Sequence, residues 1–358
     1  MKPRMNVYLT TAKRVLGYAY PMIYSLFEQN QDSEVYLYLA SEDLAETDIL
    51  EEKKLADKYG AHIIILHFDE EMAKGKIISV SEHWPLGTLS CYWLFHELLP
   101  SEVDRILALE SDAVVTGSLR EFYDIDLEGC YAACPDPKHK PLSHRKLMEQ
   151  LKGDVLTFVV SVYDVEAIRR DFSLEQILNV DGFVVKEFGH SQQELTFGIL
   201  FKDRIKFLPA GSLCVEENKQ SMEVMGIDYL MACEESCKVL HFSSTKVREK
   251  PWNPVYMMPG YEKWWRYAKK SPYYEEYFRG QWGIEEKKEQ EMEDLKKNIT
   301  WKKTLLMILA VYTGLVAGAG ILSGQPFSWL IVVLGALALA AGITVLVRKA
   351  FILIRNKL

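Results

Sequence analysis

Positive charge is what this sequence most plainly lacks. Its 42 Lys and Arg stand against 50 Asp and Glu over 358 residues, a formal net charge of −8, and no basic stripe occurs before residue 295. Binding to a phosphate backbone rests on clustered cations, so nucleic acid is excluded as a partner. Closely paired cysteines are also missing. The six thiols (Cys91, Cys130, Cys134, Cys214, Cys233, Cys237) come no closer than C-x-x-x-C, which fits neither a zinc knuckle nor a redox pair and leaves them as packed, reduced side chains. The opening "MKPRMNVYLTTAK" is followed by no long apolar run, so it does not read as a signal peptide, and the expectation is a first domain that stays in the cytosol. Internal repeats and low-complexity tracts are absent as well.

Apolar residues make up 49% of the chain, ample for a core of one large or two small domains. Near the end their distribution changes. Thr304 to Leu322 and Phe327 to Val347 contain no charged residue, and each is about long enough to cross a hydrocarbon core as a helix. Lys302 and Lys303 precede the first run, "SGQP" separates the two, and Arg348, Lys349, Arg355 and Lys357 follow. The positive-inside rule then predicts a transmembrane hairpin with both termini cytoplasmic, and the Gly and Ala of "GLVAGAG" let its helices approach closely. The bland reading is a pair of buried helices in a soluble domain. The expected organisation is a domain over 1–280, a charged helical linker over 281–303, two spans within 304–347 and a basic cytoplasmic tail over 348–358, with the lipid bilayer as a partner.

The first part alternates strand and helix patterns. "NVYLTT", "EVYLYLAS", "AHIIILHF" and "RILALES" read as strands, separated by the amphipathic "YPMIYSLFEQN", the acidic stretch to Tyr59 and a helix ending in "YWLFHELLP". Such alternation predicts an α/β fold with a mostly parallel central sheet flanked by helices. Later segments are mixed: strands at "YAAC", "TFVVSVYDV" and "RIKFLP", helices at "SLEQIL" and "SQQELTFGILF", and an aromatic helix "GYEKWWRYAKKSPYYEEYF". At the end of "RILALES", Glu110 and Asp112 follow an apolar run. Ligands gather at the carboxyl ends of parallel strands, and a desolvated carboxylate needs a cation nearby. The competing reading is a pair of turn-capping acids. Trp264 and Trp265 read as core packing rather than a sugar platform.

Four stretches resemble a known family, the retaining, nucleotide-sugar-dependent glycosyltransferases of family 8, over about residues 5–278. They are "SLFEQNQDSEVYLYLASEDL", "ELLPSEVDRILALESDAVVTGSLREFYDIDLEGCYAA", "VLHFSSTKVREKPW" and "WWRYAKKSPYYEEYF". The resemblance implies a GT-A fold. It places "ESD" where the family has its metal-binding aspartate pair, so that Glu110 and Asp112, with His241 as third ligand, would hold Mn2+ or Mg2+. Hard oxygen donors suit either cation. By residues alone His241 in "VLHF" also reads as a core histidine, and Lys250 as a surface lysine. The resemblance puts Lys250 of "KPW" at the donor diphosphate and Thr10, Thr11 and Ser111 beside the donor. "QQEL" falls at the family's reacting centre, with Gln193 or, in the ungapped register, Glu194 beside the anomeric carbon; a polar exposed helix face is the competing reading.

Other positions depart from the family's pattern. Thr11, Ala12, Lys13 and Arg14 stand where relatives carry acidic and amide residues for the nucleoside, Trp93 where they carry an arginine, and Val159 to Ser161 where they carry a triplet that touches the sugar. The expected function is a membrane-anchored, metal-dependent retaining transfer of a hexose from a nucleotide sugar, a UDP-hexose foremost, to a lipid-linked or cell-surface glycan acceptor. The departures motivate a second reading, a catalytically impaired relative acting as a membrane-tethered binding or scaffold protein. A metal-dependent nucleotide hydrolase is a third.

Overall fold

The computed structural model describes residues 2–76, 86–136, 159–209, 211–216, 235–243, 250–252 and 260–277, with isolated positions between them. The chain divides into two units, Met1–Gly280 and Gln281–Leu358. The linker, spans and tail expected over 281–303, 304–347 and 348–358 lie outside the described residues. Among the described residues, no helix is long and apolar enough to cross a membrane.

The alternating pattern of the first half folds as expected. Strands β1 (Arg4–Thr10), β2 (Glu34–Ser41) and β3 (His62–His67) run parallel, joined by α1 (Leu16–Gln29) and α2 (Leu50–Tyr59). Strand β4 (Arg105–Leu109) adds in parallel to the other side of β1, with Val7 opposite Leu107. Beyond it lie β7 (Val160–Asp164), β6 (Ala132–Pro135) and β8 (Ile205–Leu208), giving the order β3-β2-β1-β4-β7-β6-β8. Strand β7 is antiparallel to both neighbours and every other pairing is parallel. The sheet is therefore mostly parallel, as predicted, with one reversed strand.

Side chains alternate across this sheet with a period of two. Val7, Leu9, Leu37, Leu39, Leu107 and Leu109 enter one buried cluster, while Tyr8, Tyr38, Ala40, Ile106 and Ala108 enter the other. The first cluster is closed by α1 and an aromatic helix, α7 (Tyr261–Ala268), which supplies Trp264 and Trp265. The second is closed by α3 (Ser90–Trp93), α4 (Val165–Asp171), α5 (Leu174–Phe188) and α6 (Gln193–Phe201). Helix α5 starts at a reciprocal cap, in which the Ser173 hydroxyl accepts the Gln176 N–H and the Gln176 side chain accepts the Ser173 N–H. It ends at Gly189, whose φ of 83° suits a residue without a Cβ.

A second sheet of three strands, β5 (Ala113–Val115), β10 (Val239–His241) and β9 (Cys214–Glu216), was not legible as strands. Runs of three residues are too short to show a period.

The segment from Phe95 to Val103, which leads into β4, is gathered by one side chain. The Arg169 guanidinium on α4 donates to the carbonyls of Phe95, Leu99 at 2.9 Å, and Pro100, Ser101 and Val103 at 3.1 Å each. Hydrogen bonds to a charged donor exceed neutral ones, and stranded carbonyls carry a desolvation cost. Arg169→Ala is expected to lower unfolding free energy by about 2–3 kcal/mol, read by denaturant titration, with Arg169→Lys recovering less than half because a single ammonium cannot span the fork.

Candidate metal and donor site

Glu110, Ser111 and Asp112 form the short turn between β4 and β5, at the carboxyl edge of the central sheet. Strand β10 pairs antiparallel with β5 and sets His241 opposite Ala113, and the Phe242 N–H donates to the Asp112 carbonyl at 3.0 Å. Main-chain pairing thus brings together side chains separated by 129 positions. His241 Nε2 lies 2.9 Å from Glu110 Oε2 and 3.1 Å from Asp112 Oδ1, and one ligand atom from each residue falls within 4.8 Å of the others. Metal–ligand bonds of about 2.1 Å put neighbouring octahedral donors about 3 Å apart, and the two distances from His241 are of that size. Two carboxylate oxygens and one imidazole suit Mn2+ or Mg2+ better than a thiolate-preferring ion.

Lys250 completes the cluster. Its ammonium contacts Asp112 Oδ2 and donates to the Phe242 carbonyl at 3.0 Å. The turn that carries it is held by two aromatic side chains: the Trp265 indole N–H donates to the Pro251 carbonyl at 2.9 Å, and Trp252 stacks on Tyr18 with centroids 4.6 Å apart. Trp264 and Trp265 are buried, as expected of core packing. The further part of Trp265 in seating the Lys250 turn had no counterpart in the sequence reading.

The cluster's charges explain how carboxylates persist at a buried strand end. Burial acts to raise the Asp112 pKa, yet the Lys250 and His241 cations hold it well below the usual carboxylate range. Burial acts equally against a charged His241, yet Asp112 and then Glu110 push the ring up to about 10. In this arrangement the imidazolium Nε2–H stands between the two carboxylates, where a cation would sit. To become a ligand the ring would give up that proton.

Thr10 and Ser111 lie at the carboxyl ends of β1 and β4. Thr10 ends β1, and the Thr11 N–H donates to the Ala40 carbonyl at 3.1 Å. The Thr11 hydroxyl is buried with no hydrogen-bond partner among the described residues. Gln193 and Glu194 open α6. The Glu194 carbonyl accepts the Leu156 N–H at 3.3 Å, just ahead of β7, whose Val160 lies opposite Leu109. Gln193 Oε1 accepts from the Cys91 thiol at 3.4 Å. Ser111 lies half-buried in the acidic turn.

Several of the departing positions are structural. Trp93 is buried against Phe68, with centroids 4.9 Å apart, and Val159 and Val160 are buried in the first cluster. Lys13 turns to Asp48, 2.6 Å away. The five described cysteines are free thiols.

Comparison with known proteins gives a consistent result. The sequence profile described as "Glycosyl transferase family 8" matches residues 6–255. The lipopolysaccharide 1,2-glucosyltransferase of Escherichia coli is 22% identical over 239 residues, spanning 64% of this chain and 68% of that one. A probable galacturonosyltransferase-like 4 of Arabidopsis thaliana is 31% identical over a shorter stretch, 22% of this chain and 23% of that one. Among solved structures, the galactosyltransferase LgtC in complex with donor and acceptor sugar analogs superposes with a TM-score of 0.59 at 16% identity, covering 75% of this chain and 96% of LgtC. GlyE of Streptococcus pneumoniae TIGR4 superposes at 0.54 and 17% identity, covering 74% and 60%. At such identities the superpositions establish the fold.

Proposed function

Because the chain belongs to glycosyl transferase family 8 and is a glycosyltransferase, we propose that it transfers a hexose from a nucleotide sugar, with retention, in a metal-dependent reaction. The Glu110–Asp112–His241 cluster with Lys250 beside it is the observation that carries this reading. A divalent cation held there neutralises charge on a departing diphosphate. Lys250 neutralises Asp112, and with a cation held by Asp112 its ammonium would be free to meet the phosphate oxygens. Thr10, Thr11 and Ser111 line the donor side, and the buried Thr11 hydroxyl supplies a polar group for the nucleoside. Gln193 or Glu194, at the head of α6, sits at the reacting centre.

Glucosyl and galactosyl donors lead the candidates, given the names of the relatives, and UDP is the carrier in this reading. The acceptor in this reading is a glycan, lipid-linked or at the cell surface. The charge-free runs at Thr304–Leu322 and Phe327–Val347, flanked by Lys302, Lys303, Arg348 and Lys349, support a membrane anchor that keeps the active domain in the cytoplasm and brings it near a lipid-borne acceptor.

The test uses the full chain in detergent or vesicles. UDP in excess Mn2+ is expected to raise the melting temperature more than GDP or CDP does, as ligand linkage requires, and the UDP-hexose giving the largest shift should be hydrolysed slowly without acceptor. A chain that binds none of the three nucleotides with Mn2+ present would refute the reading.

A further inference from the structure

One fully buried carboxylate stands apart from the metal cluster. Asp181 lies on α5 with no exposed surface, where an unpartnered charge is heavily penalised. Burial raises its pKa, against the pull of four donors. The Ser191 hydroxyl donates to Oδ2 at 2.6 Å and the Thr196 hydroxyl to Oδ1 at 2.9 Å. The Gln192 backbone N–H and the Tyr92 hydroxyl also lie close enough to lower that pKa.

The sources of those donors matter more than their number. Ser191, Gln192 and Thr196 bracket Gln193 and Glu194, and they lie on the short path that leaves α5 at Gly189 and enters α6. Helix α6 has no side-chain cap of its own, since Gln192 makes none, and the Asp181 carboxylate of the neighbouring helix instead accepts the Thr196 hydroxyl within its first turns and the Ser191 hydroxyl just before it. The fourth donor, Tyr92, is adjacent in α3 to Cys91, whose thiol donates to Gln193 Oε1. One carboxylate therefore joins α5 to the start of α6 with the Tyr92 hydroxyl of α3 beside it, and the Cys91 thiol next to Tyr92 meets the Gln193 amide oxygen.

We propose that Asp181 is a positioning residue for glycosyl transfer, fixing through the 191–196 turn where Gln193 presents its carboxamide. The inference rests on the assignment of Gln193 to the reacting centre. Asp181 is separate from the metal ligands and from Lys250, so its loss should affect the chemical step without weakening metal or donor binding. That separation distinguishes positioning from general support of the fold.

The test takes Asp181→Asn and, as a milder change that keeps side-chain shape, Thr196→Val, both in the full chain. Amide hydrogen exchange should accelerate at least about tenfold over residues 191–196 in Asp181→Asn while β1 and β4 exchange as in the wild type. kcat for transfer from the nucleotide sugar should fall about tenfold to a hundredfold, the scale of a small misplacement of a reacting group, with the donor KM and the Mn2+ dissociation constant within twofold. Thr196→Val should shift exchange and kcat in the same direction by less. Unchanged kcat, unchanged exchange, or a joint loss of kcat, donor binding and Mn2+ binding would each overturn the proposal. Should Asp181→Asn not fold, Thr196→Val decides by the same criteria. If the wild-type chain transfers no sugar at all, the glycosyl-transfer reading of the site fails, and the exchange result alone decides whether Asp181 orders the turn.

Discussion

Asp112→Ala is expected to lower kcat/KM for sugar transfer by at least about 10²–10³-fold, the cost of removing one charge-stabilising group from a preorganised site. The variant should also lose the Mn2+-dependent rise in melting temperature. Asp112 is the hub of the cluster, since one oxygen faces His241 Nε2 at 3.1 Å and the other meets the Lys250 ammonium. Its removal leaves two cations with only Glu110 to oppose them. Breaking one side of a largely buried pair costs about 3 kcal/mol, so metal-free Asp112→Ala should unfold at lower denaturant than the wild type. Asp112→Asn keeps the shape and removes the charge, and it should abolish the Mn2+ effect equally. Turnover within twofold of wild type, with the Mn2+ shift intact, would remove Asp112 from the metal site.

A second large effect is expected at Glu52. This first-turn residue of α2 is fully buried, and the Tyr273 hydroxyl donates to its oxygens at 2.9 and 3.0 Å. Burial raises its pKa from 4.5 to about 7; its own backbone N–H and Tyr273 oppose the rise, and Glu51 adds to it. Tyr20 and Tyr277 also face it. The folded state therefore holds the proton more tightly than the unfolded chain. The stability from this group is fully present below about pH 4.5 and is lost as pH rises to about 7, a change on the order of 3 kcal/mol if the group is isolated. Glu52→Gln keeps an acceptor for Tyr273 and removes the titration. Relative to the wild type, the variant should gain about 2–3 kcal/mol of unfolding free energy between pH 4.5 and pH 8, measured by urea titration at both values. Parallel pH profiles for the two proteins would show that Glu52 does not titrate in this window.

Both effects fall where local pattern says least. The alternation of apolar residues in "NVYLTT", "EVYLYLAS" and "RILALES" placed β1, β2 and β4 correctly, because a period of two is written in adjacent residues. The same reading missed β5 and β9 and left "VLHF" without an assignment. Those strands are three residues long and exist only by pairing with segments outside their own neighbourhood in the chain, Val239 with Val115 and with Cys214. Burial of Trp93, Val159 and Val160 explains why the family's polar residues can be absent there: here these side chains fill the core.

By itself the sequence determined the α/β class, the family and the identity of the acids at the sheet edge, since each is carried by residues close in the chain. Tertiary structure alone decided that His241 and Lys250 converge on Asp112, that Trp265 seats the Lys250 turn, and that Asp181 gathers the donors around Gln193. Those arrangements depend on burial and on contacts between distant segments. A carboxylate's partners and its solvation have no signature in the order of its neighbours.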